Sequence, residues 1–189
     1  MRIEIVEEPV SALAEYASVC VAFKVDRVLE LTPLGGDPER FALAERPVER
    51  PYVKDYDALD GGGPARWAER FDLSSWRFFG AYADGKRVGG AAVALGTSEL
   101  NDRRPDVAVL WDIRVDSQYR GQWIGTQLFR AVEACAKAAG CRQLMAETQN
   151  VNVPACRFYA SHGCVLREAH HRTYPTLPEE VRLLWYKDL

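Results

Sequence analysis

The chain has 189 residues, 48% of them apolar and 27% charged, with a net charge of −3. That length suits one domain with a sizeable core, and the composition excludes disordered, collagenous and fibrous classes. An acidic balance, with a pI near 5.7, lacks the basic face of a nucleic-acid binder and suits a cationic small molecule better.

Arg2 to Val6 alternates as a short strand, with Ile3 and Ile5 on one face. Acids stand early in this segment and no apolar core of signal-peptide length follows. From about Ser11 the residues Leu13, Ala17, Cys20 and Val21 fall at helical spacings, so a helix is expected. Thr32 to Asp60 is rich in Pro and Gly and shows no clear period, which predicts a long irregular excursion within the domain. Its end, Asp60-Gly61-Gly62-Gly63-Pro64, is the strongest breaker in the chain.

Arg77 to Tyr82 and Arg87 to Leu95 read as strands around Ala83-Asp84-Gly85-Lys86, whose Asp-Gly pair signals a hairpin. The apolar run from Val88 to Leu95 falls far short of the roughly 20 residues that span a membrane, so no membrane association is expected and a cytoplasmic location is. Val107, Val109, Trp111, Ile113 and Val115 alternate as a central strand. Ile124, Leu128, Ala131, Val132, Cys135 and Ala139 mark an amphipathic helix ended by Gly140. Leu144 to Thr148 is a strand and Asn152 to His162 a short helix closed by Gly163. Cys164 to Glu168 and Arg182 to Trp185 form two last strands. This order predicts an α/β sandwich around a mixed sheet.

Five cysteines, an odd number without a Cys-x-x-Cys pair, argue against both a disulfide framework and a metal site. Each reads as a small buried apolar residue. Cys164 has His162, His170 and His171 close in sequence, but no nucleophile motif surrounds it.

The segment Gln118-Tyr119-Arg120-Gly121-Gln122-Trp123-Ile124-Gly125-Thr126 lies between a strand and a helix. An Arg, two Gly and a helix N-terminus make an anion site, because first-turn N–H groups point outward and the helix dipole favours negative charge. A plain strand-to-helix turn is the alternative. It is neither a Walker loop nor G-x-G-x-x-G.

Here the sequence resembles the GCN5-related N-acetyltransferase (GNAT) superfamily, whose pyrophosphate loop reads Arg/Gln-x-x-Gly-x-Gly/Ala. Arg120 and Gly125 match its ends, while Trp123 stands at the middle glycine. The stretch Asn152-Val153-Pro154-Ala155 through Tyr159 to Gly163 is similar to the family's Asn-x-x-Ala-x-x-x-Tyr-x-x-x-Gly, with Cys164 where Phe is usual. The resemblance implies one acetyl-CoA-dependent domain over residues 1–189, with a mixed, mostly antiparallel central sheet flanked by helices. It places the coenzyme on Arg120, Gly121, Gln122, Trp123, Ile124, Gly125, Thr126 and Asn152, with main-chain contacts from Ile113 and Val115. It makes Tyr159 the acid that protonates the departing thiolate, as a phenol of pKa about 10 can.

The attacking amine must lose a proton, which calls for a carboxylate. Glu147, at an inner position of its strand, and Asp112, facing away from the apolar set, are the candidates, with Glu147 preferred. Arg114 pairing with Asp112 is the structural alternative for the latter. Glu147-Thr148-Gln149-Asn150-Val151-Asn152, with Phe41-Ala42-Leu43, Glu45, Pro47, Pro51 and Val53-Lys54 upstream, is similar to streptothricin (nourseothricin) acetyltransferases. That subgroup modifies a β-lysine amine on a cationic antibiotic. Asp37 to Asp72 carries nine acids against six bases, which suits such an acceptor, although a solvated acidic loop has the same composition. Trp111 stands where many relatives place an acid. A polyamine, amino acid or protein amine as acceptor, or a domain that binds without turnover, is also compatible with these motifs. Oligomeric state is left open, a homodimer included.

Overall fold

The computed structural model describes residues 2–35, 37–59, 63–96, 100 and 104–189, with backbone alone for residues 37–40. Of the expected breaker, residues 60–62 lie outside the described residues. The chain forms two compact units. The first comprises residues 1–22, 55–144 and 189, and the second residues 23–54 and 145–188.

The first unit is built on four antiparallel strands in the order β1 (Ile3–Glu8), β4 (Trp76–Ala83), β5 (Lys86–Ala94) and β6 (Val107–Val115). The β4–β5 turn places Asp84 and Gly85 at φ of 47° and 84°, the paired left-handed conformation that a two-residue hairpin requires. The long helix α3 (Ile124–Ala138) packs on β4, β5 and β6. Ile124, Leu128, Phe129, Val132 and Ala136 are buried on it, as the 3.6-residue period demands.

The helix expected from Ser11 is shorter than the spacing suggested. It is one 3-10 turn followed by α1 (Leu13–Tyr16), and a second one-turn helix, α2 (Trp67–Arg70), precedes β4. Leu13, Tyr16 and Val19 are buried while Cys20 is exposed, against the expectation for that cysteine. Tyr16 lies against β5 because residue 90 is glycine, where a Cβ would stand 2.4 Å from the Tyr16 ring. On β6 the strict alternation breaks. Leu110 and Asp112 oppose Val93 and Ala92, so Trp111 is the extra residue of a β-bulge.

The second unit holds β7 (Gln143–Gln149), from Met145 onward, beside β9 (Val181–Asp188) and β8 (Val165–His171). Helix α4 (Val153–Ser161) follows β7. The supposed irregular excursion is instead a long antiparallel ribbon of β2 (Phe23–Leu34) and β3 (Asp37–Lys54). Pro47 and Pro51 hid it. Pro47 pairs with Arg27 at the edge of the bulge opposite Val25 to Arg27 and Pro51 lies within it, the kind of irregularity at which a strand tolerates proline. Among the described residues no helix is long and apolar enough to cross a membrane.

Candidate active site

In the first unit, the loop after β6 is wound by its own side chains. Asp116 accepts the Gln118 N–H at 2.9 Å, and its carbonyl accepts the Tyr119 N–H at 2.8 Å. Arg120 then donates from Nε to the Val115 carbonyl at 3.0 Å and from Nη2 to the Ala22 carbonyl at 3.4 Å. Its guanidinium remains exposed. Gly121 at φ 77° and Trp123 at φ 64° turn the chain into α3. Trp123 occupies the N-cap but supplies no side-chain cap, and no acid stands in the first turn. An uncapped helix N-terminus beside an exposed guanidinium attracts phosphate. Gln122 is exposed, Ile124 is buried as the anchor of the turn, and Gly125 and Thr126 are half-buried within it.

Upstream on β6, Ile113 and Val115 pair with Ala91 and Gly89 of β5. Asp112 lies in a charge network. It accepts the Tyr16 hydroxyl at 2.6 Å and Arg114 Nε at 2.7 Å on the same oxygen, and Arg114 Nη2 at 3.3 Å on the other. Arg114, 2% exposed, also donates to both oxygens of Asp57 and to the Val19 carbonyl. Burial works against the guanidinium charge, but Asp112 and Asp57 outweigh it and hold its pKa above the ordinary value. Burial, then the negative charge of Asp112, pushes the Tyr16 phenol well above 10. The bulged Trp111 joins Trp67, Phe71 and Trp76 in an aromatic cluster with ring centroids 4.9 to 6.4 Å from its own.

In the second unit, Glu147 on β7 accepts the Tyr174 hydroxyl and Arg182 Nε, each at 2.8 Å, and keeps 38% of its side chain exposed. Gln149 donates to the Tyr174 oxygen at 2.7 Å. Burial, then Glu147, raises the Tyr174 pKa well above its ordinary value. Asn152 caps α4 by accepting the Ala155 N–H at 3.1 Å. Tyr159 is buried on that helix, its ring 6.4 Å from Trp185. Cys156 is also buried there, its thiol pushed up to about 12 by burial and therefore unreactive.

The structure thus brings Asp112 together with Tyr16, Arg114 and Asp57 in one unit, and Glu147 with Tyr174, Arg182 and Gln149 in the other. Tyr16, Asp57, Tyr174 and Arg182 are not legible in the sequence because each meets its partner 27 to 96 positions away with no local motif. Among the described residues no group of three or more His, Cys, Asp or Glu is arranged to hold a metal.

A mixed α/β fold with a mostly antiparallel sheet, and a phosphate-attracting loop between strand and long helix, suits a protein that binds a phosphate-bearing ligand. The acetyltransferase (GNAT) family model matches residues 43–164. Streptothricin acetyltransferase of Streptomyces lavendulae is 32% identical over 169 residues, covering 83% of this chain and 85% of its own. The Escherichia coli streptothricin acetyltransferase is 34% identical over 152 residues, 77% and 75% of the two chains. Among solved structures, a nourseothricin acetyltransferase superposes with a TM-score of 0.76 at 22% identity, over 100% of this chain and 99% of that one. A Bacillus anthracis protein described as a streptothricin acetyltransferase, solved with acetyl coenzyme A, gives 0.80 at 24% identity over the whole of both chains. The chain belongs to the acetyltransferase (GNAT) family and is an acetyl-CoA-dependent N-acetyltransferase.

Proposed function

We propose that this enzyme acetylates a primary amine of a small cationic acceptor, a streptothricin-type antibiotic, in a single domain spanning residues 1–189. The observation that carries this reading is the similarity to streptothricin acetyltransferases over 83% of the chain. An acidic chain in the cytoplasm, where acetyl-CoA is made, would receive such a cation there.

The chemistry sets what the residues must do. When bound, acetyl-CoA supplies a thioester carbonyl activated toward amine attack. Arg120, Gly121 and the first turn of α3 from Ile124 to Thr126 hold its pyrophosphate, with the strand residues Ile113 and Val115 and the Asn152 amide along its arm. An alkylamine of pKa about 10.4 needs roughly 4–5 kcal/mol to lose its proton at neutral pH. Glu147 is the better-placed acceptor for that proton, because its partly exposed carboxylate can be reached through water. Asp112 has 15% of its side chain exposed and already accepts three hydrogen bonds, so it serves to hold β6 and Arg114 in place. Tyr159 gives its proton to the departing sulfur. Tyr159→Phe is expected to lower kcat by about 10²–10⁴ at unchanged stability, the range for a positioned acid. A turnover number close to wild type would remove Tyr159 from that role.

The test of the substrate is expression in a streptothricin-sensitive bacterium. The wild-type gene is expected to raise the inhibitory concentration and the Tyr159→Phe variant to leave it near that of the host. Equal sensitivity with and without the wild-type gene would move the acceptor to another amine.

A further inference from the structure

Trp123 is the residue whose features the fold does not explain. It is 75% exposed, the largest exposure among the described large hydrophobic residues. Its backbone is left-handed, at φ 64° and ψ 8°. A side chain with a Cβ disfavours that region, which glycine visits freely. It also stands at the N-cap of α3, where Ser, Thr, Asn, Asp or Gly would stabilise the helix and where its indole forms no cap. Its ring makes no hydrogen bond or ring contact with another described residue. Backbone geometry, capping and solvation therefore all favour glycine at 123, and no hydrogen bond or ring contact among the described residues rewards the indole. A residue held against three such preferences points to a contact outside the chain.

The neighbourhood says which contact. Trp123 lies in the same loop as the exposed Arg120 guanidinium and immediately before the first turn of α3. Resting on the reading of this loop as the coenzyme's pyrophosphate site, the group beyond that pyrophosphate is adenosine, a planar purine joined through one ribose. Exposed indole faces are good partners for such a base, and one base–aromatic stack changes affinity roughly ten- to a hundredfold. We propose that the Trp123 indole stacks on the adenine of acetyl-CoA, and that the left-handed backbone at this position is retained to present it.

The test compares wild type, Trp123→Phe and Trp123→Gly by calorimetric titration with coenzyme A and with 4′-phosphopantetheine, which lacks the 3′-phosphoadenosine and one phosphate of the pyrophosphate. Trp123→Gly relieves the backbone, so weaker binding by it does not arise from misfolding. Expected is a loss of roughly ten- to a hundredfold in coenzyme A affinity for Trp123→Gly, and a smaller loss for Trp123→Phe. Binding of 4′-phosphopantetheine is expected to be the same in all three. Fluorescence gives an independent readout. Trp67, Trp76 and Trp185 are buried and Trp111 is half-buried in the aromatic cluster, so the red-edge emission belongs mainly to Trp123. Coenzyme A, but not 4′-phosphopantetheine, is expected to shield it from acrylamide. Trp123→Gly binding coenzyme A as tightly as wild type, or losing both ligands equally, would overturn the stacking proposal. Wild type binding neither ligand would overturn the pyrophosphate-site reading and the stack with it.

Discussion

A single backbone angle at residue 123 links stability to function. The left-handed region costs an L residue about 1–2 kcal/mol, and part of that is regained by the unfolded-state entropy that a larger side chain restricts. Trp123→Gly is therefore expected to stabilise the protein by about 1 kcal/mol, seen as a higher urea midpoint at unchanged slope. A lower midpoint would mean that the indole packs in the folded state. Local motifs are where the sequence was most legible. The loop before α3 and the Asn152-to-Gly163 stretch are contiguous, so the resemblance could be read from them directly, and the glycine that closes the second has a φ of 80°. The partners of Asp112 and Glu147 were illegible for the opposite reason. Tyr16 lies 96 positions from Asp112 and Arg182 lies 35 from Glu147, distances at which only the fold decides who meets whom.

Elements with one buried face announced themselves, and those without did not. Helix α3 was found at nearly its true bounds because a core-facing period runs through it, and strand β6 because its sequence alternates, although the Trp111 bulge breaks that alternation in the fold. The β2–β3 ribbon exposes much of both faces, and its prolines mimic a loop, so no period survived to be read. One fastening of that ribbon makes a quantitative case. Lys54 at the end of β3 forms a buried ion pair with Glu180, just before β9, and the second oxygen of Glu180 is buried with no hydrogen-bond partner among the described residues. Removing one member strands the other charge away from water, so Lys54→Met is expected to cost about 3–5 kcal/mol in a denaturant titration. Replacing both, Lys54→Met with Glu180→Leu, is expected to recover most of that loss. Single and double variants of equal stability would show that the pair is worth nothing to the ribbon.

Across the molecule, one buried phenol and two half-buried ones set how stability depends on pH. Burial, then Asp112, raises Tyr16, burial, then Glu147, raises Tyr174, and burial with the Glu8 hydrogen bond pushes Tyr82 up to about 12. A group whose pKa is raised in the fold contributes stability that is complete below its unfolded value, about 10 for tyrosine, and is lost as pH climbs beyond it. The denaturant midpoint is thus expected to hold between about pH 8 and pH 9.5 and to fall above about pH 10, with a shallower fall in Tyr16→Phe. A profile that Tyr16→Phe leaves unchanged would remove Tyr16 from that effect. The claim that matters most for the whole protein is chemical, and one measurement meets it directly. Purified enzyme is given acetyl-CoA with streptothricin, spermidine, free lysine or a lysine peptide in turn, and free thiol release is followed alongside mass spectrometry of the acceptor. The account predicts thiol release with streptothricin, matched by one added acetyl group on the antibiotic and far exceeding the rate with the other amines. Thiol release with the other amines and none with streptothricin would contradict the assigned acceptor, and none with any amine would contradict acetyl transfer to amines of this class.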